Sequence, residues 1–169
     1  VPAPFRFDRE FRFALAPDDL WDVLTRTDEY PAWWPWLRTC AIDGLAPGSS
    51  ARCEIRAPLP YTLRCVVTVG AVTPGRGLDA TVAGDLAGPA SLAIAPDGRG
   101  SAARLRWSLE LRDPVLARLA RVGRPAMAWA HDRVVAAGLA QFRERALDHR
   151  APRSTFGPVA PKHQMCPGG

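Results

Sequence analysis

His131 and Arg9 are the two side chains whose type and placement could do chemistry. His131 shares helical spacing with Met127, Val134, Gly138 and Phe142, so it lies on an apolar stripe. Imidazole changes charge near neutral pH, so an inward histidine can give or take a proton at an enolisable carbonyl compound. The competing reading is a buried histidine that hydrogen-bonds a neighbour and fixes its helix. Asp132 projects about 100° away around the helix, so adjacency alone does not make it the partner. Arg9 sits on the face of a predicted strand that also carries Phe5, Phe7, Phe11, Phe13 and Leu15. A cation there must find an anion, a carbonyl or solvent, because burial without a partner is costly. It can hold a ligand carboxylate or polar oxygen. Alternatively, a β-bulge turns it outward or its long stem reaches the rim.

Other polar and aromatic residues have weaker claims. Asp85 follows Gly84; strict alternation from Leu78 puts it on the outer face, which suggests a turn or sheet-edge role. Tyr61 and Cys65 share a strand face with Leu63 and Val67. Tyr61 can offer a hydroxyl to a ligand or simply pack. No basic residue stands beside Cys65 on that face to activate it, so no nucleophile is assigned. Trp107 and Trp129, on the last strand and last helix, are candidate pocket walls. Trp21, Trp33, Trp34 and Trp36 divide between core packing, a cavity mouth and weak membrane-interface contact through the Trp33–Trp36 loop.

These residues must be positioned by recognisable elements. Residues 5–15 alternate apolar and polar, the period of a half-buried strand. Ala16-Pro17-Asp18-Asp19 then starts a helix with proline and acids in its first turn and Leu20, Trp21 and Leu24 as its stripe. Asp28 can cap a second short helix that ends by Pro35. Strand patterns follow near 38–45 and over 51–57, 61–72, 78–83, 90–95 and 104–111, making seven strands with short connections. An antiparallel meander is the simplest arrangement. Asp113-Pro114 opens a helix that Gly123 and Pro125 interrupt. A longer helix runs from about 125 to 148. One apolar face per strand and one helix stripe are satisfied together if a curved sheet wraps the last helix, an α+β architecture.

Composition bounds the function. The 169 residues are 47% hydrophobic and 23% charged, a single globular domain over 1–149 able to fold without metal or disulfide. Residues 150–169, rich in proline and glycine, read as a disordered tail. Cys40, Cys53, Cys65 and Cys166 form no C-x-x-C pair and, with three scattered histidines, no zinc spacing. No metal or cofactor is expected. Thiols of this kind read as reduced, hence a cytoplasmic protein. No apolar run is long enough to span a membrane and no leader is visible. The net charge of +5 owes much to the tail, because residues 1–149 hold 19 basic against 17 acidic side chains. With no aromatic-basic interleaving on the strands, nucleic acid is not the expected partner. A monomer or a homodimer is equally compatible.

The order of elements, with particular residues, resembles the START/Bet v 1-like (SRPBCC) superfamily. The matching pieces are Ala16-Pro17 through Leu20-Trp21-Asp22-Val23-Leu24, Tyr30-Pro31 with Trp33-Trp34-Pro35, Leu59-Pro60-Tyr61 with Leu63-Arg64, Gly84-Asp85-Leu86, and Trp129 with His131-Asp132. Within that superfamily the chain is similar to the bacterial polyketide cyclase/dehydrase and lipid-transport family. The resemblance implies a helix-grip fold with a cavity between sheet and last helix, and a hydrophobic small-molecule ligand. It leaves open a carrier or a cyclase, aromatase or dehydratase in which His131 is the acid/base and Arg9 its partner. Ligand contacts would come from Tyr61, Cys65, Trp107, Met127, Trp129, His131, Val134 and Gly138. Ala51, Cys53, Ala57, Ala71, Ala80, Ala90 and Gly138 are small residues on predicted inward faces. They either leave volume for a ligand or let the helix approach closely.

Overall fold

A computed structural model describes residues 4–56 and 61–147, apart from the side chains of Leu119, Ala120, Val122 and Arg124. The 150–169 segment, Ala57 and the Leu59-Pro60 pair lie outside the described residues.

Seven strands form one curved antiparallel sheet: β1 (Phe5–Phe13), β2 (Leu37–Ala41), β3 (Ser50–Arg56), β4 (Thr62–Thr73), β5 (Gly77–Gly84), β6 (Leu86–Asp97) and β7 (Gly100–Leu111). Strands β2 to β7 run as the expected meander, and β1 joins β7, giving the order β1-β7-β6-β5-β4-β3-β2. The helices α1 (Pro17–Leu24) and α2 (Tyr30–Trp33), with a 3₁₀ turn at Thr27–Glu29 between them, therefore carry the chain from one sheet edge to the other. After β7 come α3 (Pro114–Val122), α4 (Arg124–Gln141) and a π-helical turn at Phe142–Leu147. This is the helix-grip arrangement: a curved sheet, short helices after the first strand, and a long C-terminal helix.

Local chemistry explains most element ends. Asp113 Oδ1 accepts hydrogen bonds from the backbone N–H groups of Val115 and Leu116 at 2.9 and 2.8 Å, the expected cap of α3. Gly123 separates α3 from α4, and Pro125 occupies the first turn of α4, where its missing N–H costs nothing. Asp28 does not cap the second helix; it lies inside the 3₁₀ turn, because Tyr30 rather than Asp28 begins the helical run. At the β5–β6 corner Gly84 has φ +121°, and a Cβ there would lie 2.6 Å from the Arg64 carbonyl oxygen. Asp85 then accepts from the Arg64 N–H at 2.8 Å through its carboxylate, and its carbonyl accepts from the Arg112 N–H at 2.8 Å. Its role at the turn and sheet edge is thereby accounted for.

Two expected faces need correction. The β4–β5 register shifts between Val69 and Val72, so the bulge turns Gly70 and Ala71 outward. Ala71 is exposed and leaves no inward volume. Conversely, β1 pairs β7 without a break, with Arg9 opposite Leu105 between Phe7–Trp107 and Phe11–Ala103. No bulge removes Arg9 from the phenylalanine face.

The core is centred where the helices meet the sheet. Leu20 and Val23 are fully buried, and Trp21, Trp33, Ile94, Ala103, Phe142 and Ala146 complete their cluster. A second cluster groups Leu37, Ala51, Cys53, Cys65 and Val82 beneath Tyr30, Trp34 and Trp36. Helix α4 is held against it by two indoles. Trp34 Nε1 donates to the Gly138 carbonyl at 2.9 Å and Trp36 Nε1 to Gln141 Oε1 at 3.1 Å. A Cβ on Gly138 would meet Trp36 Cζ2 at 3.4 Å, the near end of ordinary contact, so a methyl fits there and a larger side chain does not. On the outer face, Asp8 accepts a two-pronged pair from Arg104 at 2.6 and 2.8 Å and a third contact from Arg106 Nε at 3.3 Å, tying β1 to β7.

Two outcomes follow. Gly138→Leu should destabilise the fold by about 1–3 kcal/mol, the usual cost of overpacking. Gly138→Ala should be near neutral, since its helix gain of about 1 kcal/mol offsets a small displacement of Trp36. Urea unfolding followed by tryptophan emission reads both. The hydrogen bond from Arg104, then its charge and that of Arg106, lower the Asp8 pKa below its ordinary value of 3.8. The associated stabilisation is present above the unfolded value and is lost as pH falls through the lowered midpoint. A carboxyl titration by NMR should find the Asp8 midpoint below 3.8, and Arg104→Gln should move it upward.

Candidate functional site

Helix α4 is more buried toward its C-terminal end, and its N-terminal half leaves room against β1. Ala128, His131 and Asp132 face Phe5, Phe7 and Arg9 across a cleft of about 370 Å³. Alternation puts Phe5, Phe7 and Arg9 on one side of β1, and helical spacing brings Ala128 and His131 to the same side of α4. The two residues that sequence reasoning placed first therefore open onto one recess.

Phe5 and Phe7 make the cleft wall aromatic, and Phe7 is backed by a ring outside the lining. Phe7 and Trp107, paired across β1 and β7, stack with ring centres 4.1 Å apart and an interplanar angle of 10°. His131 stands edge-on to both rings, 5.5 Å from Phe7 and 5.4 Å from Trp107. Such contacts fix the imidazole plane without using its nitrogens. His131 Nδ1 lies 3.4 Å from Asp132 Oδ1, a long contact in which the tautomer decides the donor. His131 Nε2 is shielded from solvent and has no hydrogen-bond partner among the described residues. That nitrogen is unpaired but covered, so a guest in the cleft reaches it only if the ring turns.

Arg9 is exposed, and its guanidinium carbon lies 5.7 Å from the centre of the Phe7 ring. That contact is a cation–π arrangement at an open edge, and it leaves the guanidinium donors toward solvent. Among the described residues, Arg9 has no carboxylate partner. Its long stem satisfies the apolar face while the charge stays hydrated.

The remaining candidates sort differently. Tyr61 Oη donates to Met127 Sδ at 3.1 Å, in the cluster that holds Leu63, Leu111 and Leu116. Burial pushes the Tyr61 phenol up in pKa. The two residues meet, but in a packing contact separate from the Arg9 cleft lining. Val134 is half-buried, one turn beyond His131. Gly138 is buried, and the indoles of Trp34 and Trp36 occupy the space beside it. Small residues there admit the helix and its tryptophans. Trp129 is not a pocket wall: it is 56% exposed, with Arg133 over its ring at 5.6 Å. A residue two places before His131 turns to the opposite side of the helix.

The Trp33–Trp36 loop is likewise committed. Trp33 is 3% exposed, and Trp34 and Trp36 spend their N–H groups on α4. Trp33 is thus core, and the half-buried Trp34 and Trp36 lean on α4. Among the described residues no helix is long and apolar enough to cross a membrane. A second recess of about 650 Å³ lies over Gly70, Asp79, Thr81, Ser91, Arg106 and Ser108. Phe7, Ala80, Ala90 and Trp107 of the inner face line it as well, so the recess draws on both faces of the sheet.

Sequence reasoning missed three features. The Phe7–Trp107 stack needed the β1–β7 pairing, which joins residues 100 positions apart. The indole bonds to α4 needed the crossing of the helix. Cys40, Cys53 and Cys65 stand in one row across β2, β3 and β4, with Cys53 opposite both neighbours. No basic residue was expected beside Cys65; what lowers its pKa is a hydrogen bond with the Cys53 thiol, a contact the sequence did not suggest. The shared inward faces of these strands were a usable signal; the register was not.

Residues 4–147 match the family model described as polyketide cyclase / dehydrase and lipid transport. No curated protein matches the chain. Among solved structures, the TTHA0849 protein of Thermus thermophilus superposes with a TM-score of 0.70 at 13% identity, over 87% of this chain and all of that one. The Zhui aromatase/cyclase from Streptomyces sp. R1128 gives 0.63 at 15% identity, over 85% and 97%. The two-domain aromatase/cyclase BexL of the BE-7585A biosynthetic pathway gives 0.66 at 15% identity, over 86% of this chain and half of that one. At these identities the structural likeness speaks for the fold. The match over residues 4–147 speaks for more: this chain belongs to the polyketide cyclase/dehydrase and lipid transport family.

Proposed function

We propose that the protein binds an amphipathic, polyketide- or lipid-like small molecule in the cleft between β1 and α4. The observation that carries this reading is the convergence of Arg9 and His131 on one aromatic-walled recess. Phe5 and Phe7 offer apolar surface, and the Arg9 guanidinium offers a charge-assisted bond to a carboxylate, enolate or carbonyl oxygen at the mouth. The volume of about 370 Å³ falls at the small end of ligand sites. It suits one end of a longer molecule or a compact aromatic one.

A second reading, proton transfer by His131, is favoured by one specific feature, the unpartnered Nε2, which a turn of the ring would bring to the cleft. A neutral imidazole with that nitrogen unprotonated can remove a proton α to a ligand carbonyl and return it to a hydroxyl leaving as water. Aldol closure and dehydration need only such transfers. Asp132 at 3.4 Å from Nδ1 would favour the tautomer that leaves Nε2 as the acceptor. The apolar surroundings of Phe7 and Trp107 keep bulk water from competing.

Binding is checked by thermal shift and Trp fluorescence against a panel of fatty acids and aromatic polyketide acids with their methyl esters. Acids should raise Tm and perturb emission. Arg9→Gln should weaken acids by about tenfold, one charge-assisted bond, while leaving esters unchanged. If no panel member shifts Tm, binding in this cleft is refuted. On a substrate that turns over, His131→Ala should lower kcat by about 10²–10⁴-fold. Full turnover by that variant removes His131 from the chemistry and leaves a carrier.

A further inference from the structure

The cysteine row, toward the β2 end of the sheet, is not used by this reading. Cys40 on the edge strand β2 pairs in register with Cys53 on β3, and Cys53 pairs with Cys65 on β4. The Cys53 and Cys40 sulfurs are 3.4 Å apart. Directly opposed residues on antiparallel strands have Cα atoms about 4.5–5.5 Å apart. That lies inside the span of about 4.4–6.8 Å that a disulfide bridges. The Cβ atoms of such a pair lie about 4.5–5.5 Å apart, against about 3.5–4.5 Å in a disulfide, so closing the bond needs side-chain rotation and a small approach of the edge strand β2 to β3.

Access separates the three thiols. Cys53 and Cys65 are each 5% exposed, whereas Cys40 is half-buried on a strand that, among the described residues, has no outer neighbour. A small oxidant therefore meets Cys40 first. Chemistry points the same way: the hydrogen bond from the Cys53 thiol lowers the Cys40 pKa against the opposing effect of burial. Cys53 stands behind it as the resolving thiol, a pairing typical of oxidant-sensing cysteines; the Cys40 and Cys65 thiols and burial push the Cys53 pKa up, so its attack is the slower of the two steps.

We propose that Cys40 and Cys53 are a peroxide-reactive thiol pair that closes to a cross-strand disulfide between β2 and β3. The Cys40 thiolate attacks one oxygen of hydrogen peroxide; the O–O bond breaks, and the displaced hydroxide takes up the proton released by Cys40 and leaves as water. Sulfur is oxidised to the sulfenic acid and the peroxide is reduced. The Cys53 sulfur then attacks the Cys40 sulfur; the S–O bond breaks, and hydroxide leaves with the Cys53 proton as a second water. Two thiols and one peroxide give one disulfide and two waters. A dithiol reductant reverses the change by exchange. The bond would lock the sheet edge beneath Tyr30, Trp34 and Trp36, the segment that leans on α4.

The test uses the full chain carrying Cys166→Ser, reduced and then titrated with hydrogen peroxide. Free thiols are alkylated after denaturation and the peptides are mapped by mass. The expected result is a peptide pair joined through Cys40 and Cys53, lighter by two hydrogen atoms, with Cys65 alkylated and the link removed by dithiothreitol. Cys65→Ser should still form it. Cys53→Ser should instead trap Cys40 as a sulfenic acid that dimedone labels. A Cys53–Cys65 link, sulfinic Cys40 without a link, or no oxidation of the folded protein overturns the proposal. Matching circular dichroism of each variant with the parent keeps misfolding from imitating a negative result.

Discussion

The hydrogen bond from the Trp34 indole to the Gly138 carbonyl sets the geometry on which the rest of the molecule depends. It joins residues 104 positions apart and fixes the height of the last helix above the sheet. A buried indole N–H without an acceptor would cost about 1–3 kcal/mol, so the contact is selective for one helix position. Gly138 has no Cβ to hold Trp36 away, and Gln141 satisfies the second indole one turn on. The C-terminal half of α4 is thereby pinned against Trp34 and Trp36. Arg143 and Arg145 extend the anchorage by donating to the carbonyls of Arg12 and Ala32.

With one half of the helix pinned, the other half is left for a cleft. Around Met127 to His131 the contacts are a thioether–phenol bond and edge-on aromatic rings, both weaker and less demanding than the indole bonds. This gradient places chemistry-bearing side chains where the helix has room and keeps close packing where it has none. The charges follow the same division. Asp8, Arg104 and Arg106 neutralise each other on the outer face, whereas Arg9, on the other face of the same strand, is left to solvent and to whatever enters beside Phe7.

The cysteine row obeys a different constraint. Antiparallel pairing puts side chains of opposed residues side by side on one face, so a sulfur on each of three adjacent strands makes a lateral file whenever the registers agree. Burial then differs along the file only because the sheet ends at β2. Graded access across identical side chains is thus a property of sheet position, not of residue type.

How much was readable without coordinates follows from the range of each interaction. Alternation, capping and proline placement are local, and they located all seven strands, the Asp113 cap, the break at Gly123 and the apolar stripe through His131. The resemblance carried by Leu20-Trp21, Tyr30-Pro31 and Trp33-Trp34-Pro35 added the helix-grip architecture that joins them. Ala71 failed because a bulge changes side-chain parity without changing composition. Trp129 failed because it stands about 200° around the helix from His131, off the stripe that faces the sheet. The meeting of Arg9 with His131, the Phe7–Trp107 stack and the thiol file were decided by tertiary structure alone. Each depends on register between distant segments, and register is set by the sum of many contacts rather than by the residues that use it.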